Sequence, residues 1–271
     1  MTADFRPGRL MDNRLVAEIL DSVASGFAEQ VQFTKEMIRC PSVRGHEQEA
    51  QAHFSEALSV RGYSVDQWSI DVEQIKDHPG FSPGVVDYEN SVNLVGTHNP
   101  RNNLGRSLIL NGHVDVVPTG PVDMWERPPF EPYIVGDWLY GRGSGDMKAG
   151  LCANVFALDA LRRLNLQPAG IVYIQSVTEE ECTGNGALSA LVRGYHADAA
   201  IIPEPEDNKL VRANVGVIWF RVDIQGRSFH VREASKGVNA IESAYGVIGA
   251  LKKLEHAWNE RRFNYPYFDT V

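Results

Sequence analysis

Gly170-Ile171-Val172-Tyr173-Ile174-Gln175-Ser176-Val177-Thr178-Glu179-Glu180-Glu181 is the stretch on which the fold turns. Its first part is mostly apolar and rich in β-branched side chains, the mark of a strand buried on both faces, and it ends in three carboxylates. Two other segments share this design. Ser107 to Leu110 is a short apolar strand running into Asn111-Gly112-His113-Val114-Asp115, and Ala197 to Ile202 delivers Pro203-Glu204-Pro205. Between them a short strand through Trp138 to Tyr140 leads into Gly141 to Asp146. That segment opens a helix with Leu151, Val155, Leu158 and Leu161 on one face. Strands alternating with helices predict an α/β fold, a mainly parallel sheet flanked by helices, in which ligands sit beyond the carboxyl ends of the strands. Four strand ends bearing an acid or a histidine thus converge on one rim.

Toward the N-terminus the chain opens with helices. Leu15, Ile19, Val23, Phe27, Val31 and Ile38 recur mostly three or four apart, which predicts an amphipathic helix ended before Pro41. A second helix is expected from Glu47 to Val60, then strands over Tyr63 to Ile70 and Val92 to Val95, separated by a Pro/Gly-rich loop. Past Arg212 the pattern changes: Val215 to Ile224 alternates like a half-exposed antiparallel strand, and Ala240 to Leu254 reads as an amphipathic helix. We therefore expect a catalytic domain over residues 1–211 and a second domain over 212–271.

Composition removes several classes of function. With 26 basic and 35 acidic residues the net charge is -9, and no Lys/Arg cluster could neutralise a run of phosphates, so nucleic acid is not an expected partner. Cys40, Cys152 and Cys182 form no Cys-x-x-Cys pair and are odd in number, as free thiols in a reducing compartment would be. The first residues carry charges without an apolar core, so neither an export signal nor a membrane anchor is expected, and the location read from the sequence is cytoplasmic.

The residues that carry chemistry are His113, Asp146, Glu181 and Glu204, with Glu180 beside them. Taken singly, His113 reads as an ordinary histidine, Asp146 as a helix N-cap and Glu179 to Glu181 as a solvated charge run. Gathered at successive strand ends they form an acid cluster that only cations make tolerable. One imidazole with several carboxylates suits zinc, cobalt or manganese rather than calcium or an iron–sulfur cluster. Asp115, two residues after His113, is placed to accept the imidazole's second N–H and fix its tautomer.

The ordered set Gly112 to Pro118, Trp125 to Phe130, Tyr140 to Lys148, Glu180-Glu181 with Gly184 and Gly186, and Glu204-Pro205 resembles the M20 family of metallopeptidases and deacylases over roughly residues 14 to 257. The resemblance implies a zinc-exopeptidase-like catalytic domain followed by an α+β lid domain through which subunits pair as a homodimer. It implies two zinc ions per subunit, with Asp146 bridging them, His113 and Glu204 completing one and Glu181 serving the other. Glu180 becomes the general base. The segments Gly226 to His230 and Gly237 to Ile241 look like the family's lid motif, so that His230 stabilises the oxyanion and Asn239 helps to hold substrate. The implied substrates are small N-acyl amino acids, with acetylornithine-type deacylation the narrower expectation and dipeptidase or carboxypeptidase action the alternative within the family.

Family members extend well past this point and add a histidine ligand for the second metal. Neither His230 nor His256 fits it, so the sequence reads as C-terminally incomplete, and the 271-residue piece alone is expected to be inactive. A truncated, non-catalytic binding or dimerisation homologue is the reading from another class. A serine nucleophile elbow fails because Arg142 stands two residues before Ser144. A dinucleotide fingerprint fails because the third glycine, Gly145, comes one residue early, and His-Glu-x-x-His is absent.

Overall fold

A computed structural model describes residues 12–264, except positions 85, 208, 212, 213, 215, 217 and 219. The first helix, α1 (Asn13–Arg39), starts at Asp12, whose side chain accepts the Arg14 N–H, and stops at an extended Cys40 ahead of Pro41. Then follow α2 (Gln48–Val60), β1 (Ser64–Ser69), α3 (Val72–Ile75), β2 (Val92–His98) and β3 (Leu108–His113). A hairpin of β4 (Tyr133–Val135) and β5 (Trp138–Tyr140) precedes α4 (Lys148–Arg163), and β6 (Val172–Val177), α5 (Asn185–Val192) and β7 (Ala199–Ile201) complete the main layer.

The principal sheet has the order β1-β2-β6-β3-β7. β6 and β7 both pair with β3 in parallel, whereas β2 runs antiparallel to β6 and to β1. β1, β3, β6 and β7 therefore point one way and β2 alone points the other, so the sheet is mainly parallel as expected. Leu94, Leu110, Val172 and Ile174 present one face to a core built with Phe33, Met37, Phe54 and Leu58 of α1 and α2 and with Leu151 and Val155 of α4. Trp68 lies on the other side of β1 from Val65 and donates to the Ser189 hydroxyl of α5 at 2.8 Å, so helices cover both faces.

The buried face of α1 differs from the expected stripe. Val23 and Phe27 are exposed, while Ser22 and Gly26 are buried against α4. The Ser22 hydroxyl donates to the Ala160 carbonyl at 2.8 Å, and a Cβ on Gly26 would stand 2.2 Å from Arg163 Nη2. Close approach of two helices needs small residues at the crossing, which a hydrophobicity pattern does not register.

The chain divides into two compact units, Met1–Pro205 and Glu206–Val271. In the second, Arg227 and Val238 form a bridge, two turns span Val231–Lys236, and α6 (Ala240–Glu260) is capped by Asn239, whose side-chain oxygen accepts the Ile241 N–H at 2.9 Å. The strand expected over Val215 to Ile224 falls partly outside the described residues, and Phe220 to Ile224 form none. No helix among the described residues is long and apolar enough to cross a membrane.

Candidate metal centre

β3 and β6 end side by side, with His113 opposite Val177 and the Val114 N–H donating to the Val177 carbonyl at 2.9 Å. Their parallel register thus sets the imidazole against the turn that begins at Thr178. Gly112 beneath it leaves room for α4: a Cβ there would meet Met147 and Leu151 at 3.2 Å. Gly150 admits the β7 exit in the same way, since a Cβ would stand 2.3 Å from the Pro203 carbonyl oxygen. Gly112 thus makes room on β3 for side chains at the start of α4, and Gly150 lets α4 approach the backbone that leaves β7.

The His113 side chain is 1% exposed. Its Nε2 faces Asp146 Oδ1 at 3.1 Å and both Glu180 Oε2 and Glu204 Oε1 at 3.7 Å. His113, Asp146 and Glu204 each offer a ligand atom within 4.8 Å of the others, the one such group of three among the described residues. Glu181 stands outside that trio. Its backbone N–H donates to Asp115 Oδ2 at 3.2 Å, and its carboxyl is close enough to feel Asp146 and His113. The peptide bond between Asp146 and Met147 is cis.

The Asp115 contact differs from the sequence expectation. The backbone carbonyl of Asp115, not its carboxylate, is the 2.9 Å partner of His113 Nδ1, with Oδ1 at 3.5 Å. Either acceptor leaves Nε2 free to bind. Asp115 Oδ1 is buried without a hydrogen-bond partner.

Charge is concentrated here. Burial, with Asp146, Glu180 and Glu181 nearby, pushes the Glu204 carboxyl up to about 7 against the relief offered by His113. Glu180 and Glu181 are also raised, chiefly by burial. Burial works to depress the imidazole of His113, yet Asp115 and Asp146 hold it up at about 11, while the hydrogen bond with His113 lowers Asp146. Carboxylates that disfavour one another's ionisation around an imidazole are a set that a divalent cation would satisfy. The donors and the orphaned Asp115 oxygen fit such an ion.

His230 and Asn239 lie in the second unit. His230 Nδ1 accepts the Arg232 N–H at 3.2 Å, and Asn239 is engaged as the cap of α6. His256 faces Glu260 at 3.4 Å on the same helix. The sequence reading missed Glu179. It is not part of a solvated run: its side chain is wholly buried, Arg44 Nε stands 2.8 Å away, and its φ is +66°. No local pattern signals this, because its partners come from distant segments.

The description Peptidase family M20/M25/M40 matches residues 109–260, more than half of the chain. N-formyl-4-amino-5-aminomethyl-2-methylpyrimidine deformylase of Bacillus subtilis (strain 168) is 32% identical over 228 residues, covering 80% of this chain and 49% of that one. Succinyl-diaminopimelate desuccinylase of Methylorubrum extorquens (strain PA1) is 31% identical over 227 residues, covering 79% and 54%. The chain thus spans about half the length of the curated relatives it matches. Among solved structures, the dipeptidase Dug1p from Saccharomyces cerevisiae aligns with a TM-score of 0.56 at 19% identity, over 69% of this chain and 40% of that one. Human carnosine dipeptidase 1 aligns at 0.55 with 21% identity, over 69% and 41%. At these identities the likeness is one of fold.

Proposed function

The chain belongs to peptidase family M20/M25/M40, and on that premise we propose that it supplies metal-binding and proton-transferring residues of an amide-bond hydrolase acting on N-acyl amino acids. The observation that carries this reading is the meeting of His113 Nε2 with Asp146, Glu180 and Glu204 within 3.7 Å at the strand ends. The curated relatives favour deacylation over dipeptide cleavage, since a deformylase and a desuccinylase both remove an acyl group from nitrogen. Acetylornithine-type substrates are the member of that class expected from the sequence.

His113 and Glu204 would hold one cation with Asp146, and Asp146 would reach a second with Glu181. Zinc is the ion proposed, with cobalt or manganese able to replace it in the same donor set. When bound, the pair supplies polarisation of the scissile carbonyl and acidification of the attacking water. Glu180 takes the proton from that water and returns it to the departing nitrogen, so that acid and amine leave with atoms balanced. Its side chain is 51% exposed, open to substrate, and its raised affinity for protons suits a group that must accept one and give it back. His230 is the proposed donor to the oxyanion. Ile241, Tyr245 and Ile248 are exposed along α6, which supports a homodimer through this second unit.

The test is hydrolysis of a panel of N-acetyl, N-formyl and N-succinyl amino acids and dipeptides by the whole protein loaded with zinc or cobalt. Glu180→Gln is expected to keep its metal and lose about 10²- to 10⁴-fold in kcat. Hydrolysis of no panel member, or full activity in that variant, rejects the reading.

A further inference from the structure

The turn that presents Glu180 is built around the side chain before it. Glu179 Oε2 accepts the Tyr88 hydroxyl at 2.9 Å and the Thr183 hydroxyl at 3.0 Å, and Oε1 stands 2.8 Å from Arg44 Nε. The Glu179 carbonyl in turn receives the N–H groups of Thr183 at 3.0 Å and Gly184 at 2.8 Å. Tyr88 is itself held, since Asn185 Nδ2 donates to its hydroxyl oxygen at 2.9 Å. Arg44 lies between α1 and α2, Tyr88 in the loop before β2, and Thr183 and Asn185 beyond the turn. Three separate stretches of chain therefore close on one buried carboxylate.

The arrangement is costly, which argues that it serves more than filling space. A carboxylate taken wholly out of water needs its counter-ion, and a non-glycine residue at a φ of +66° is strained. The left-handed backbone turns the side chain at 179 inward, fully buried, while the next one, Glu180, faces His113 with half its surface open. Anchoring residue 179 fixes the path of the chain into both Glu180 and Glu181.

We propose that Glu179, clamped by Arg44, Tyr88 and Thr183, is the positioning residue of this site, aiming the Glu180 carboxylate and setting the approach of Glu181. The proposal rests on the amide-hydrolase reading of Glu180. Neither Glu179 nor Arg44 touches substrate in it. Proton transfer from a carboxylate that must meet a water and then a nitrogen is sensitive to placement, and an error of about 1 Å costs on the order of 10²-fold.

The test compares Glu179→Gln, Tyr88→Phe and Glu180→Gln in the whole protein, with kcat and KM measured separately and the visible spectrum recorded after loading with cobalt. Glu179→Gln keeps the size and the backbone and removes the charge. It is expected to lower kcat about 10- to 100-fold with KM changed less than about threefold, to keep its cobalt stoichiometry, and to alter the cobalt band shape because Glu181 is re-aimed. Should that variant not fold, Tyr88→Phe, which deletes a single hydroxyl, is expected to lower kcat about threefold or more. Native kcat and an unaltered cobalt spectrum in a folded Glu179→Gln, or native kcat in Tyr88→Phe where Glu179→Gln does not fold, overturns the proposal. Loss of turnover in Glu180→Gln alongside either result assigns the failure to the clamp, whereas an active Glu180→Gln assigns it to the hydrolase reading.

Discussion

Glu47 illustrates what one buried acid does to the chain. It is completely buried, its Oε1 accepts the Gly45 N–H at 2.8 Å, and its Oε2 has no hydrogen-bond partner. Burial, with the carboxylates of Asp115 and Glu179 near, pushes its pKa from 4.5 to about 7. The folded protein therefore binds this proton more tightly than the unfolded chain. The stability linked to it is fully present below about 4.5 and is lost as pH rises through about 7, on the order of 3 kcal/mol in all. Glu47→Gln removes the titration, so its Tm is expected to fall less than the native Tm between pH 5 and pH 8, read by calorimetry at both. Parallel curves for the two proteins would contradict this. At this scale the sequence pointed to His113 and Glu204, which follow apolar runs, and to Asp146, which closes the glycine-rich segment after Tyr140, and the structure brings a ligand atom of each within 4.8 Å of the others. The sequence did not foresee that the Asp115 carbonyl stands nearer His113 Nδ1 than the carboxylate does, at 2.9 against 3.5 Å, nor the burial of Glu179, whose partners Arg44 and Tyr88 are far away in the chain.

The elements that aim these residues are joined by few but specific contacts. Lys148 opens α4 and is fully buried, with Nζ donating to the carbonyls of Met37 and Cys40 at 2.8 Å each. It thereby satisfies carbonyls at the end of α1 that the helix leaves unpaired, and ties α1 to the start of the helix that follows Asp146. Burial lowers its pKa to about 8. Lys148→Met keeps an unbranched side chain one atom shorter and strands both carbonyls, so a loss of about 2–4 kcal/mol in urea unfolding is expected. A loss within experimental error would show that the carbonyls find other partners. Apolar periodicity located β3, β6 and α4 from sequence, because their side chains answer to burial on the sheet, and the apolar run through β7 marked that strand although its residues are exposed. It could not show that β2 runs against its neighbours, since alternation carries no direction. It also passed over α5, whose first turn contains Gly186, packed where a Cβ would stand 1.9 Å from the Thr178 carbonyl oxygen.

At the scale of the whole molecule the two units differ in what holds them. Both hydrophobic clusters, around Phe54 and Ile174 and around Ile75 and Leu188, belong to Met1–Pro205, as do His113, Asp146, Glu180, Glu181 and Glu204. In the unit from Glu206 onward no residue of α6 is buried, and between Glu206 and Gly226 no described residue lies in a helix or strand. Hydrophobic burial is the main force holding a small unit together, so the first unit carries stability of its own and the second has little. Backbone without a ladder or a packed face opens at small free-energy cost and is cut first. Limited trypsin treatment of this chain is expected to cleave early at Lys209 or Arg221, leaving a fragment ending near Pro205 that resists digestion. Mass spectrometry locates the cuts. That fragment is expected to keep a cooperative thermal transition within a few degrees of the intact chain and to bind cobalt through His113, Asp146 and Glu204. First cuts inside α1 or α4, or a fragment that melts without cooperativity, would contradict the view that the first unit is stable by itself.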